Sequence, residues 1–295
     1  MKGPAKVLAL VLEAQLAWLK FLATRHGIYL LVAAAVILPY LRPLPLPFKP
    51  SPWAEKLYHQ VERLEPGSHV LLAFDYSPGS EAELYPMSLA ILRHCHRKDL
   101  IPIVMTHWVD GVGLSRNLCE RAAAESGEMW QKEKLSGRDY VFLGYKPGYS
   151  NLVLNMGENL KGAFAKDYYD KPTQDMPALK GVDRLKDIDL AIDIAAGTTV
   201  EMWIAYGSDR FGFPLGAGCT AVMAPDFYPF LQSGQLVGFL GGLRGAADYE
   251  KLLEKSADAT RGMQAQSVTH LLIIVLILAA NAVFIAGFLR NRKGK

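Results

Sequence analysis

Apolar residues crowd both ends of the chain, while the middle alternates short apolar runs with amphipathic stretches. Leu271 to Leu289 runs nineteen residues without a charge, and Asn281 is its one strongly polar side chain. As a helix it would span about 28 Å, close to the roughly 30 Å hydrocarbon core of a bilayer, which predicts a transmembrane segment. A basic tail, 290–295, follows it, and the polar stretch 258–270 reads as a linker before it. Near the start, Ile28 to Leu41 forms a second apolar run of about 21 Å, short for a span. It is expected to borrow a turn from Phe21 to Thr24, with Arg25 and His26 snorkelling to the headgroups. From Ala5 to Ala23 the helical pattern is broken by Glu13, Gln15 and Lys20, which fits an interfacial helix better than a separate span. A cleavable signal peptide competes with this reading. The long polar-spotted stretch before the apolar core, with no small-residue cleavage site after it, favours a retained anchor.

Between the anchors, Pro43, Pro45, Pro47 and Pro50 alternate with Leu44, Leu46 and Phe48, so 43–50 reads as a stiff polyproline spacer. The soluble domain, 51–257, opens with an amphipathic helix carrying Trp53, Leu57, Val61 and Leu64 and stopped by Pro66-Gly67. Five strands are then predicted: His69–Phe74, Ile101–Thr106, Tyr140–Leu143, Leu190–Ile194 and Thr220–Met223. Helices are predicted at Ser80–His96, Leu114–Ala124 and Ser150–Phe164, and from near Thr198. Apolar strands alternating with helices predict a doubly wound α/β domain, Rossmann-like or flavodoxin-like, with a mostly parallel sheet between two membrane helices.

Charge sharpens this layout. The net +3 hides +4 over residues 1–42 and +4 in the tail, which leaves −5 in the middle. A nucleic-acid partner is therefore not expected, since the positive charge flanks the membrane segments and not the folded domain. The same clusters predict cytoplasmic termini and an extracytoplasmic domain in a cell membrane. Cys95, Cys119 and Cys219 are too few and scattered for a disulfide framework.

In a doubly wound domain ligands bind beyond the carboxyl ends of the strands, so the polar residues there are the candidates. Strand one leads into Asp75, Ser77 and Ser80, strand two into His107 and Asp110, strand three into Tyr145 and Lys146, and strand four contains Asp193 with Thr198 beyond it. Together they suggest an anionic-ligand site with a possible base and a cation. Ser80 with Glu83 three residues on also reads as a capping box. Asp75-x-Ser77 resembles the metal loop of von Willebrand A domains, but Gly79 stands where that pattern needs its second serine, and no metal is expected. His94-Cys95-His96 reads as a solvated helix end, because successive helical residues point about 100° apart. Walker, Gly-x-Gly-x-x-Gly and Gly-x-Ser-x-Gly motifs are absent, so no cofactor is expected.

Ser233 to Leu253 reads as one helix whose Gly234, Gly238, Gly241, Gly242 and Gly245 form a stripe suited to close backbone approach, against a second copy, a partner membrane protein or this domain's own sheet. Two stretches, Asp139-Tyr-Val-Phe-Leu-Gly-Tyr-Lys-Pro-Gly148 and Ser233-Gly-Gln-Leu-Val-Gly-Phe-Leu-Gly-Gly-Leu-Arg-Gly-Ala-Ala-Asp-Tyr-Glu250, resemble signatures of a family of uncharacterised prokaryotic membrane proteins. That resemblance implies a double-anchored protein with an α/β body and carries no activity or catalytic residues. The functional expectation is a membrane-anchored interaction or scaffold protein. The alternative is a membrane-tethered enzyme or ligand-binding domain.

Overall fold

The computed structural model describes residues 24–42, 48–255 and 257–293. The interfacial helix expected at Ala5–Ala23, spacer residues 43–47 and tail residues 294–295 lie outside the described residues. Phe48 to Pro50, the described end of the spacer, has no regular structure. Two compact units divide the chain, Met1–Pro47 with Arg261–Lys295, and Phe48–Thr260.

In the first unit, Arg25–Leu41 forms helix α1, capped where the Thr24 hydroxyl accepts from the Gly27 N–H at 3.2 Å. Its 17 residues leave it shorter than a candidate span. Among the described residues one helix is long and apolar enough to cross a membrane, over Asp258–Ile285. It belongs to a continuous helix, Asp258–Lys293, so the expected polar linker is helical from its first residue. The physical reason lies in a buried glutamate. Glu250 accepts from the N–H groups of Ala257 (2.9 Å), Ala259 (3.0 Å) and Thr260 (2.8 Å) and from the Thr260 hydroxyl (2.7 Å). It thereby satisfies donors that a helix start otherwise leaves open.

The second unit opens with α2 (Pro52–Glu62), where Ser51 caps Ala54 N–H at 3.2 Å and Pro52 supplies a pre-set φ. The remaining elements are β1 (His69–Asp75), α3 (Glu81–Arg97), β2 (Ile101–Thr106), α4 (Val112–Trp130), β3 (Val141–Tyr145), α5 (Ser150–Glu158), α6 (Leu160–Ala163) and β4 (Leu190–Ala195). After them come α7 (Thr199–Met202), which continues through a π-helical turn, Trp203–Ser208, into α8 (Asp209–Phe211), then β5 (Leu215–Cys219), α9 (Ala224–Ser233), β6 (Gly238–Gly241) and α10 (Gly242–Leu252). All strand pairs are parallel, in the order β3-β2-β1-β4-β5-β6. That order is Rossmann-like, and its direction reverses between β1 and β4. Alternation gives the sheet two faces. Leu71, Ala73, Ile103, Met105, Val141, Leu143, Ala191 and Leu215 point into a core closed by Val153, Met156, Val200 and Trp203.

Two expectations fail here. The fifth strand is Leu215–Cys219, and Thr220–Met223 forms a turn. The glycine-rich stretch is not one helix. Gly234 ends α9 with φ +81°, Gly238 and Gly241 bound β6, and Gly242 and Gly245 open α10. The reason is contact inside the domain. A Cβ on Gly238 would stand 2.4 Å from the Leu57 backbone nitrogen, and one on Gly216 would stand 2.4 Å from a Leu57 methyl. One on Gly242 would meet Ala221 Cβ at 2.6 Å, one on Gly245 would meet the Leu240 backbone at 2.8 Å, and one on Gly241 would lie 3.1 Å from Ala224 Cβ. Bare backbone on β5 and β6 is what lets α2 lie against the sheet.

Candidate functional site

At the switch point β1 ends in Asp75, which is fully buried. One of its oxygens accepts from the His107 backbone N–H at 2.6 Å and from the Thr106 hydroxyl at 3.3 Å. The other accepts from His107 Nδ1 at 2.8 Å. Because an ionised carboxylate only accepts, Nδ1 carries the proton of that bond. This directs Nε2, buried and without a hydrogen-bond partner among the described residues, away from Asp75. The imidazole is fixed by two aromatic rings, Tyr149 stacked at 5.9 Å and Trp203 edge-on at 5.6 Å.

From the neighbouring strand β4 comes Asp193, paired in register with Ala73 and 1% exposed. Both residues before and after it at alternate positions, Ala191 and Ala195, are small, as is Ala73. Neither Asp193 oxygen makes a hydrogen bond of ordinary geometry among the described residues. Its pKa is raised well above the usual carboxylate value, first by burial and then by the negative charge of Asp75, with Glu201 adding to it; the nearby Thr199 hydroxyl opposes the rise. Burial and the neighbouring carboxylate both favour the protonated form of Asp193. Around the pair, Thr199 Oγ1, Trp203 Nε1, Trp108 Nε1 and one Glu201 oxygen are also buried without partners among the described residues. Trp108 lies across the β4 exit, where a Cβ on Gly197 would stand 2.9 Å from its indole. Unpaired buried polar atoms each cost about 1–3 kcal/mol, so a group of them at a switch point marks a place built for something other than stability.

Of the residues singled out in the sequence, the fold brings Asp75, His107 and Asp193 together and disperses Ser77, Ser80, Asp110, Tyr145 and Lys146. Ser77 precedes a 3-10 turn, Pro78–Ser80, and makes no side-chain cap. Ser80 caps nothing either, and Glu83 accepts from the Ala221 N–H at 2.9 Å, so the expected capping box does not form. Asp110 is exposed in a 3-10 turn, Val109–Gly111. Tyr145 is exposed, and the Lys146 ammonium donates to the Ala163 carbonyl and sits 5.5 Å from the Phe164 ring. The expected anion site thus lacks its cation. His94 and His96 are buried, not solvated. His94 bridges the Tyr249 hydroxyl (2.8 Å) and Glu62 (2.7 Å), and burial lowers its pKa to about 4. Among the described residues no group of three His, Cys, Asp or Glu side chains is placed to hold a metal ion. Thr199, Glu201 and Trp203 escape sequence reasoning. The signal available is Asp193, a lone carboxylate inside the six-residue apolar run Leu190–Ala195.

A cleft of about 390 Å³ lies at the carboxyl end of β3, lined by Lys146, Pro147, Gly148, Asn151, Asn155 and Asn159 among others. Tyr149, between two of those lining residues in sequence, has a positive φ of +42° with ψ −115°, a sparsely populated conformation that costs a bulky side chain about 1–3 kcal/mol.

No family model matches the chain. No curated protein matches it either. Among solved structures it resembles a trehalose-6-phosphate synthase, OtsA, with 11% identity and a TM-score of 0.28 over 86% of this chain and 48% of that one. The chain spans about half the length of that structure, and nothing about activity follows from so distant a likeness.

Proposed function

We propose that the chain is a membrane-anchored α/β protein whose domain binds a small polar molecule at the switch point and presents an acid and a base to it. The observation that carries this reading is the juxtaposition at β1 and β4 of an imidazole held by Asp75 and a protonated Asp193. Held through Nδ1, His107 presents Nε2 as the basic atom, while Asp193 has a proton to give. A buried carboxyl whose pKa is driven up, beside an imidazole anchored through Nδ1, places a proton donor and a proton acceptor in one site. Lys146 is engaged elsewhere, so the ligand is expected to be neutral and rich in hydrogen-bonding groups, not anionic. The scaffold reading drew on the glycine stripe, and packing within the domain now accounts for four of its five glycines. The finer membrane topology, two spans with cytoplasmic termini and an extracytoplasmic domain, rests on the flanking basic residues, with α1 as a short first span.

A thermal-shift screen of neutral and anionic small molecules on the full chain tests the site. Binding to the native state raises stability by RT ln(1 + [L]/Kd), about 2.7 kcal/mol at a hundredfold excess over Kd. Neutral ligands are expected, with shifts that vanish in His107→Gln and Asp193→Asn. Ligands that are all anionic, or shifts that survive both substitutions, overturn the proposal.

A further inference from the structure

The cleft at the carboxyl end of β3 carries polar side chains in its lining that the switch-point chemistry does not use. Asn151 and Asn155 are one helical repeat apart on α5, so their amides share a face, and both are exposed. Val153 and Met156 on the other side of that helix are buried, which fixes the helix with its amides outward. Asn159, just past the helix end, continues the row. Its side-chain oxygen accepts from the Gly162 N–H at 2.8 Å, and this holds the amide against the cleft floor. Gly162 is itself shaped to it, since a Cβ there would stand 2.6 Å from the Asn159 side-chain nitrogen.

The charge around this row balances. Lys146 and Glu158 are the charged residues of the lining, one of each sign, and the ammonium already donates to the Ala163 carbonyl. An anion would meet Glu158, and a metal ion would find one carboxylate and no imidazole. A primary amide offers an acceptor and two donors in one plane. Three amides in a row match a ligand whose neighbouring groups each both donate and accept, which is the chemistry of vicinal hydroxyls.

We infer that this cleft binds a neutral carbohydrate, one or a few sugar units long, through Asn151, Asn155 and Asn159. The inference stands apart from the acid–base reading of the switch point. Its volume of about 390 Å³ falls within the range usual for small-molecule sites, roughly 300–1,000 Å³.

The test presents the full chain, purified in a detergent without a sugar headgroup, to maltotriose, cellotriose and chitotriose. Glucose 6-phosphate, sialyllactose and an uncharged tripeptide serve as the anionic and peptide arms, with titration calorimetry as the readout. The expected result is saturable binding of at least one neutral trisaccharide, weakened tenfold or more in the doubly substituted N151A/N155A chain and unchanged in Asp110→Asn. Both asparagines are exposed and alanine favours helix, so the double variant should unfold at or above the wild-type midpoint. No neutral trisaccharide bound, binding that persists in the double variant, or preference for the anionic sugars or the tripeptide each overturns the inference.

Discussion

Replacing Asp193 by asparagine removes one ionisable proton from the middle of the sheet and leaves the shape of the side chain nearly unchanged. In the native chain this carboxyl is 1% exposed, lacks a hydrogen bond of ordinary geometry among the described residues and lies beside Asp75, so its folded-state pKa is raised well above the unfolded one. The sign of the linkage follows. Below about pH 4 both folded and unfolded chains carry the proton, and the group's contribution is fully present. As pH rises, the unfolded chain releases the proton while the native chain keeps it, so stability falls by about 1.4 kcal/mol per pH unit until the folded carboxyl itself ionises. An amide at this position has no such slope. It brings two donors into the same unpaired place, a cost of about 1–3 kcal/mol that is independent of pH. The variant should therefore be the less stable chain at pH 4 and overtake the wild type within roughly two pH units. Urea unfolding in detergent from pH 4 to 8, followed by tryptophan fluorescence, gives both curves, and their difference isolates Asp193. A flat difference, or one in which the wild type gains on the variant as pH rises, would mean that Asp193 is ionised in the native state. The acid half of the proposed site would then be gone.

Gly238→Ala should cost about 1–3 kcal/mol or more, because its Cβ meets the Leu57 backbone at 2.4 Å and α2 must move as a body. Gly113→Ala, in α4 with nothing within 4 Å, should instead stabilise by about 1 kcal/mol, and equal urea midpoints for the two variants would refute the packing account. Glu250→Ala strands the donors of Ala257, Ala259 and Thr260, and hydrogen exchange at those amides should quicken on the order of 100-fold. Unchanged protection there would show that the helix start holds itself.

The first four strands are legible because each is a short, dense apolar run between turn signals, and the structure places them within a residue or two of where the pattern does. The fifth escapes the pattern because Leu-Gly-Ala-Gly-Cys carries two glycines where a strand normally shows branched side chains. Those glycines answer to Leu57 and Met87, residues over a hundred positions away, and no local pattern reports such a contact. The sixth strand is hidden by the same effect, since glycines at spacings of three and four imitate a helical stripe. Asp75 and His107 are readable as polar residues at strand ends, yet their partnership is not, because it depends on which strands lie side by side. The buried His94 is misread for a related reason. The tyrosine and glutamate that receive it, Tyr249 and Glu62, come from helices distant in the chain.

The reversal of strand order between β1 and β4 also has a temporal side. Their paired residues lie 120 positions apart, whereas β1 meets β2 after about thirty. On a ribosome adding about 5–20 residues per second, the stretch from Ile101 of β2 to Leu190 of β4 takes roughly 4–18 s, during which β1, if already paired with β2, has one bare edge. An apolar strand with an open edge invites pairing with other chains, so this interval is when a nascent copy most needs a chaperone or a nearby membrane to shield it. Asp193 arrives on the strand that closes the gap. The carboxyl whose pKa burial raises is thus carried into the sheet by the step that seals it.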